Sequence, residues 1–271
     1  MDQVTANETL WRKGTQVGVY ANRALAPVEV MLLVRYREHL AGRVIEVGCG
    51  AGRVLGYLVA LGGEVQGIDL SPAMVDYCRQ AYPQADVRVG DVAALAQTLP
   101  GPFDAIVAAS NLLDVFDDAR RQSVLADLGR LLTPGGVLIF SSHNLAELER
   151  RPAPGRRRGL VGRGADILLR HTPLELASTV ARLPARLRNR RRLAPLQSSG
   201  AGYAIVNDET FDYGLLHYYV QRDAQERQLR QAGLELIECL DPEGRPVPAG
   251  TDGAGPWLHY VSQQSDGSGL K

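Results

Sequence analysis

A glycine-rich turn near the start of the chain offers the clearest chemistry in the sequence. It follows an apolar run, and an acid and three glycines stand there at alternate positions: Glu46, Gly48, Gly50 and Gly52. Glycines at the start of a helix let a ligand approach bare backbone N–H groups, which bind anionic groups well. A dinucleotide-binding turn needs the spacing G-x-G-x-x-G. Its third glycine position holds Arg53 or Leu55 here, depending on the starting glycine, so the turn predicts a ligand of another kind.

Alternating strand and helix signals surround this turn. Five apolar strand-like segments are predicted at Arg43–Val47, Glu64–Ile68, Asp86–Val89, Phe103–Ala108 and Val137–Ser142. Helical segments between them are predicted at Arg53–Leu61, Pro72–Tyr82 and Asp117–Leu132. Strands that alternate with helices form a parallel sheet with helices on both faces. The sequence therefore predicts an α/β fold whose ligands bind at the carboxyl ends of the strands.

The two ends of the chain carry further elements. Helical spacing runs from Thr5 to Leu40, and the regular alternation stops after Asn144. An amphipathic helix is predicted at 174–187. The chain then returns to a helix at 222–232 and to strands at 235–240 and 257–263.

Composition excludes several protein classes. The net charge is zero and the pI is about 7.0, so the chain has no overall field that would attract nucleic acid or membrane. Its three widely spaced cysteines suit a reducing compartment, and we expect a cytoplasmic protein. No Cys/His cluster has zinc-like spacing, so no metal site is expected. No apolar run reaches the roughly 18 residues of a membrane span, and the first residues lack signal-peptide features.

The motif and the order of elements resemble the class I S-adenosylmethionine (SAM) methyltransferases, over residues 43–142 and 222–263. The resemblance implies a Rossmann-like, doubly wound sheet of seven strands. Their implied order is 3-2-1-4-5-7-6, with the last strand antiparallel. We expect three parts: an N-terminal helical lid at 1–40, a SAM-binding domain at 41–144 and 220–265, and an inserted Arg-rich cap at 145–219.

Two acids at strand ends fit this cofactor. Asp69 follows the second strand, where a carboxylate can accept protons from both ribose hydroxyls; a turn acid before Ser71 is the alternative. Asp91 follows the third strand. In the family an acid there binds the adenine amino group, and Val92 offers its backbone N–H to the ring. A plain turn acid is again the alternative.

Other cofactor contacts follow from the same resemblance. The three glycines leave room for the methionine part of SAM. Glu46 is an acid inside a buried strand, which is costly unless it is paired, either with the glycine turn or with the cofactor ammonium. Leu70 and Met74 flank the adenine or belong to the ordinary core. Near the sulfonium we expect the residues after strand four: Ala109, Ser110 and Asn111.

Methyl transfer to a hydroxyl needs a base with a pKa near neutrality, usually a histidine. His143 follows strand five at the ligand-binding edge, and His217 precedes the last long helix. Each is a candidate catalytic residue, with a structural histidine as the alternative. Tyr20 is a third candidate, with core packing as its alternative. Three poorer candidates lie elsewhere: His39, His171 and His259.

The segment after strand four favours a small-molecule acceptor. It reads Asn111-Leu112-Leu113-Asp114, without the prolines that adenine-amine methyltransferases carry there and without a cysteine nucleophile. Apolar residues instead indicate a hydrophobic pocket wall. The sequence therefore predicts methylation of an oxygen or a nitrogen on a small molecule, such as a natural product or sugar-like compound.

Thirteen arginines and only two acids lie between Arg150 and Arg192. They allow a solvated surface insertion, a lid over an anionic substrate, contact with anionic lipid through 150–192, or binding to RNA phosphates. An RNA methyltransferase and a non-catalytic SAM-binding subunit are the alternative functions, although nucleic acid is not the favoured partner. The oligomeric state stays open, with a homodimer as one option.

Overall fold

A computed structural model describes residues 3, 5, 7, 8, 21, 23–95, 99, 101–150 and 173–265. Tyr20, Arg156–Arg158 and His171 lie outside the described residues. The helices are α1 (Pro27–Arg35), α2 (Arg37–Leu40), α3 (Leu55–Ala60), α4 (Pro72–Ala81), α5 (Asp118–Arg130), α6 (Leu145–Arg150), α7 (Pro173–Leu193) and α8 (Arg222–Gln231). The strands are β1 (Arg43–Val47), β2 (Glu64–Asp69), β3 (Asp86–Val89), β4 (Phe103–Ala108), β5 (Leu132–Asn144), β6 (Ser198–Gly200), β7 (Tyr203–Val206), β8 (His217–Val220), β9 (Leu234–Leu240) and β10 (Trp257–Gln264).

Seven of the strands form the predicted sheet. β3, β2, β1, β4 and β5 lie side by side and parallel. β10 pairs with the far edge of β5 and with β9, antiparallel to both. The order 3-2-1-4-5-7-6 is thus confirmed, with β10 as the antiparallel seventh strand and β9 as the sixth.

The sheet is larger than predicted, because the described part of the chain contributes ten strands to it rather than seven. β5 is 13 residues long and continues past the end of β4. There β8 takes the place of β4 and pairs in parallel with His143 and Asn144. β7 and β6 follow outward as antiparallel neighbours. The sequence prediction ended β5 too early and missed these strands, because segments of three or four residues show no readable periodicity.

Side chains alternate between two cores, one on each face of the sheet. On one face Val44 and Val107 pack with α1, α3 and α4. On the other face Ile45 and Ile106 pack with α5 and α8. A third, smaller core lies under β7 and β8 and includes Tyr218. The central strands are therefore held from both faces, and their carboxyl ends have fixed positions.

Local signals define the helix starts around the site. Asp117 caps α5, and its Oδ1 accepts a hydrogen bond from the N–H of Arg120 at 2.8 Å. Ser71 is the N-cap of α4 and Pro72 its first residue, as predicted, but the Ser71 hydroxyl makes no capping bond. Across the described ranges, none of the helices combines the length and apolarity that a bilayer crossing requires.

Candidate functional site

A cavity of about 530 Å³ opens at the carboxyl ends of β1, β2, β4 and β5. Most of the sequence-predicted site residues line it. They are Glu46, Gly48, Gly50, Asp69, Leu70, Met74, Asp91, Val92, Ala109, Ser110, Asn111, His143 and His217. Gly52 is not among the lining residues. The structure therefore brings the expected cofactor residues and both favoured histidines to a single pocket.

The glycine turn between β1 and α3 is shaped by close packing on two sides. A Cβ on Gly48 would lie 2.5 Å from the Leu112 side chain, and one on Gly52 would lie 2.5 Å from the Tyr82 ring. Both glycines also have positive φ, at 65° and 77°, which a larger residue adopts at a cost. Gly52 therefore serves the packing of the turn against α4, while Gly50 faces open space.

Asp69 fixes this turn through both carboxylate oxygens. Its Oδ2 accepts a hydrogen bond from the N–H of Gly50 at 2.8 Å, and its Oδ1 accepts one from the N–H of Ser71 at 2.8 Å. Burial raises the pKa of this carboxyl above its ordinary value. Each carboxylate oxygen still has a second lone pair. Asp69 can therefore hold the turn and accept further bonds from a ligand in the pocket.

Asp91 is more open to solvent than Asp69. Its Oδ1 accepts a hydrogen bond from the N–H of Ala93 at 2.8 Å and caps a single 3₁₀ turn at Val92–Ala94. The guanidinium of Arg120 lies 4.0 Å from the other oxygen. The structure thus shows the turn role of Asp91 and leaves its adenine role a prediction.

Glu46 is buried in β1 with only 2% of its surface exposed. Burial raises the pKa of its carboxyl well above the ordinary range, although Arg53 opposes the shift. Its Oε2 has no hydrogen-bond partner among the described residues. Glu46 also lines the pocket. Its unpaired oxygen can therefore accept a hydrogen bond from a bound ligand, for example from an ammonium group.

An ion pair that sequence reasoning missed borders the glycine turn. Arg53 donates to both carboxylate oxygens of Glu29, at 2.6 and 2.7 Å, and to the Ser110 hydroxyl at 2.9 Å. Ser110 and Asn111 both adopt left-handed backbone conformations with φ of 57°. This bend follows β4 directly and aims the chain toward the pocket. Such strained non-glycine residues often mark functional sites.

His143 stands at the end of β5 and is held by a buried acid. Its Nδ1 lies 2.7 Å from Oδ2 of Asp114, which also accepts the backbone N–H of His143 at 2.7 Å. Asp114 is bonded in turn by Arg121 at 2.7 Å and by the Ser142 hydroxyl at 2.6 Å. Burial opposes ionisation of Asp114, but Arg121 and His143 outweigh it and lower the pKa of the carboxyl. Nδ1 therefore donates to Asp114, and Nε2 accepts a long hydrogen bond from Nδ2 of Asn111 at 3.4 Å.

His217 forms a second pair of the same kind at the start of β8. Its Nδ1 lies 2.6 Å from Oδ2 of Asp208, which also accepts the Tyr219 hydroxyl at 2.9 Å. Burial opposes ionisation of Asp208, but the bond to His217 outweighs it and lowers the pKa. The rings of His143 and His217 stack with their centroids 4.9 Å apart.

The poorer histidine candidates differ from these two. His259 lines the pocket, but burial lowers its pKa to about 4 and keeps the ring neutral. His39 lies on α2 and packs near the Tyr36 ring, with 6.1 Å between centroids. Sequence reasoning missed both histidine partners, Asp114 and Asp208. A signal existed for Asp114 alone: it stands among apolar residues after β4, and an acid buried there needs a partner.

N-terminal residues close one side of the pocket. Asn7 donates from Nδ2 to the carbonyls of Val115 and Leu216, both at 2.8 Å, and its Oδ1 accepts the N–H of Leu216. Gln3 donates to the carbonyl of Phe116 at 3.1 Å. These bonds tie the segment after β4 to the segment before β8, and Asn7 lines the pocket.

Part of the arginine-rich segment is used within the chain. Arg186 and Arg190 on α7 lie over the ring of Tyr213, at 5.3 and 5.5 Å from its centroid. Asn189 donates to the carbonyl of Asp212 at 3.1 Å. Phe211, Asp212 and Tyr213 all have positive φ. Helix α7 thus clamps a strained loop whose residues Thr210 and Phe211 line the pocket.

Known proteins match part of this sequence and share its fold. Residues 44–136 match the family model described as a methyltransferase domain. The ubiquinone biosynthesis O-methyltransferase of Xanthomonas oryzae pv. oryzae (strain PXO99A) is 38% identical over 126 residues, which cover 45% of this chain and 51% of that protein. The chain therefore matches about half the length of this curated relative.

Solved structures match over more of the chain, at low identity. The CcbJ methyltransferase from Streptomyces caelestis aligns with a TM-score of 0.58 and 20% identity, over 98% of this chain and 100% of that one. The glycopeptide N-methyltransferase MtfA, in complex with SAM, aligns with a TM-score of 0.55 and 18% identity, over 90% and 96%. At this identity the likeness shows the fold.

Sheet order, glycine turn and pocket position together define a class I, Rossmann-like methyltransferase fold. The family match gives the finer assignment for residues 44–136, which carry the methyltransferase domain.

Proposed function

We propose that this protein transfers a methyl group from SAM to a hydroxyl oxygen of a small molecule, and that His143 is the general base. The observation that carries the proposal is the His143–Asp114 pair. It fixes the ring so that Nε2 lies beside Asn111 at the pocket, with 16% of the His143 side chain exposed and Asp114 fully buried. A neutral amine needs no such base, whereas a hydroxyl does.

The cofactor end of the pocket fits SAM in three places. The turn at Gly48 and Gly50 leaves backbone exposed for the methionine part. The unpaired Oε2 of Glu46 can accept a hydrogen bond from the ammonium of that methionine part. Asp69 can accept bonds from the ribose hydroxyls. When bound, SAM would supply a methyl group from its sulfonium: the acceptor oxygen would bond to the methyl carbon, and S-adenosylhomocysteine would leave with the electrons of the broken C–S bond.

The residues of the acceptor end then supply positioning and proton transfer. His143 accepts the proton of the acceptor hydroxyl at Nε2 as the oxygen attacks the methyl carbon. Asp114 holds the ring in the required tautomer and stabilises the imidazolium that forms. Arg121 keeps Asp114 ionised.

The lining near the histidines favours an acceptor with an apolar body. Leu112, Val115, Phe116, Phe211 and Trp257 line the pocket, and Trp257 lies opposite His143 in the β5–β10 pairing. The name of the Xanthomonas relative supports oxygen as the methylated atom. We propose a hydroxylated aromatic or similarly flat compound as the acceptor, bordered by Asn7 and by the loop at Thr210 and Phe211.

A paired acceptor panel tests the proposal. The purified chain is incubated with isotopically labelled SAM, with phenols, with the matching anilines, and with RNA. We expect labelled O-methyl product and an equal amount of S-adenosylhomocysteine. Methylation of amines or RNA alone would contradict the proposal, and SAM binding without turnover on any acceptor would favour a non-catalytic subunit.

A further inference from the structure

Three side chains at the acceptor end of the pocket form a cluster of potential metal ligands. His143, Asp208 and His217 each offer one ligand atom, and these atoms all lie within 4.8 Å of one another. The three residues come from the end of β5, the loop after β7 and the start of β8. Spacing along the chain gives no sign of this group, because His143 and Asp208 are 65 positions apart and only the β5–β8 pairing brings the two segments together.

We propose that His143, Asp208 and His217 bind a divalent transition-metal ion of the Zn²⁺ class. Two imidazoles and one carboxylate are a donor set that Zn²⁺ and its neighbours favour, and three protein ligands leave a position for water or another oxygen. Ligand atoms around a tetrahedral ion stand about 3.4 Å apart at bond lengths of about 2.1 Å. The observed spread of up to 4.8 Å requires small side-chain shifts.

The surroundings hold these donors as metal ligands are usually held. Asp114 accepts the Nδ1 proton of His143 and leaves Nε2 as the ligand atom, in the carboxylate–histidine arrangement common around metals. Asp208 is supported by the Tyr219 hydroxyl at 2.9 Å and by the N–H of Thr210 at 2.9 Å. The Tyr219 ring also packs against His143, 4.8 Å between centroids.

Metal binding uses the same atom of His143 as the proposed methyl transfer. The ion would take the Nε2 lone pair of His143, to which the Asn111 amide donates at 3.4 Å in its absence. The same lone pair would accept the acceptor proton during methyl transfer. An occupied site therefore blocks the proposed base, and the ion inhibits rather than activates. This consequence rests on the proposed function, whereas metal binding itself does not.

Calorimetric titration of the chelator-treated full chain with ZnCl₂, without SAM or acceptor, measures the site directly. We expect one equivalent to bind. The substitutions Asp208→Asn and His217→Ala should each weaken binding by more than about tenfold. His39→Ala is the matched control, because His39 lies on α2 outside the pocket, and it should leave the affinity unchanged. Equal affinity in all three variants, or no binding, would overturn the proposal.

A Co²⁺ titration identifies the ligands. Visible bands of a nitrogen- and oxygen-bound ion, lost in His217→Ala, are the expected result. Strong near-ultraviolet thiolate bands would place the metal on the buried cysteines Cys49, Cys78 or Cys239 and contradict the assignment.

Activity supplies the last measurement. Where methyl transfer is found, Zn²⁺ should abolish it and EDTA should restore it. Activation by Zn²⁺ would contradict the blocking role. Absence of methyl transfer would count against the proposed function alone, since the metal titrations use no substrate.

Discussion

The two ends of the pocket are built in different ways. At the cofactor end, backbone groups do most of the work: a strand end, a glycine turn and acids such as Asp69 that bond nearby N–H groups. At the acceptor end, side chains pair across the fold, as His143 does with Asp114 and His217 with Asp208. The comparison teaches that a common cofactor can be bound by a local motif, whereas acceptor chemistry depends on tertiary pairing.

The largest expected effect tests the acceptor end. His143→Ala should lower turnover by about 10²–10⁴-fold, the usual contribution of a general base, and leave SAM affinity unchanged. Steady-state kinetics and calorimetry of SAM binding check the two halves. His39→Ala is the control and should behave as the parent. A parallel loss of SAM affinity would contradict the proposal that the two ends of the pocket have separate roles.

Asp114, which is buried behind His143, should matter more for stability than the acids that line the pocket. Asp114→Ala leaves Arg121 as an unpaired charge with no exposed side-chain surface, which costs about 3–5 kcal/mol. Urea denaturation measures the change. Asp114→Asn keeps hydrogen-bonding capacity and should cost less. Similar stability in all three proteins would show that the buried pair does not hold the acceptor end.

At the cofactor end, Asp69→Ala should weaken SAM binding by more than about tenfold, because hydrogen bonds to a charged group contribute about 1.5–3 kcal/mol. Calorimetry with SAM measures it. Asp86→Ala is a suitable control, since Asp86 is an exposed acid at the start of β3 that pairs with Arg88. Unchanged affinity in Asp69→Ala would contradict the ribose assignment.

The smallest effect concerns pH. Folding raises the pKa of Glu46, so its ionisation opposes folding as the pH rises above the unfolded value of about 4.3. Glu46→Gln should therefore stabilise the ligand-free protein modestly at pH 8 and less at pH 5. Thermal melts at both values check this, and a gain that shrinks as the pH rises would contradict it.

Much of the fold could be predicted from the sequence, because long strands and capped helices leave periodic signals. The seven-strand order came from the resemblance, and the pocket contains nearly every predicted cofactor residue. β6, β7 and β8 could not be predicted, since strands of three or four residues depend on their neighbouring strands and not on their own pattern; only β8 pairs directly with β5.

The site residues differ in the same way: some follow local sequence signals, and others depend on tertiary contacts. Asp69 and Asp91 could be found because they follow strands directly. Asp208 could not, because its importance comes from His217 and Tyr219 on a neighbouring strand. The sequence indicated only that Arg53 replaces the third glycine of the dinucleotide-binding pattern. Its ion pair with Glu29 depends on how α1 packs, which no local spacing encodes.

The length of β5 has a consequence for how such a protein can change. The extension formed by β6, β7 and β8 pairs with the sheet through two residues of β5, His143 and Asn144. Its strands have a small core of their own. The extension is thus attached to the sheet at the end of a single strand. Residues 198–216 can therefore be exchanged while β1 to β5 keep their pairing with one another. New acceptors can arise at this seam without rebuilding the methyl-donor site.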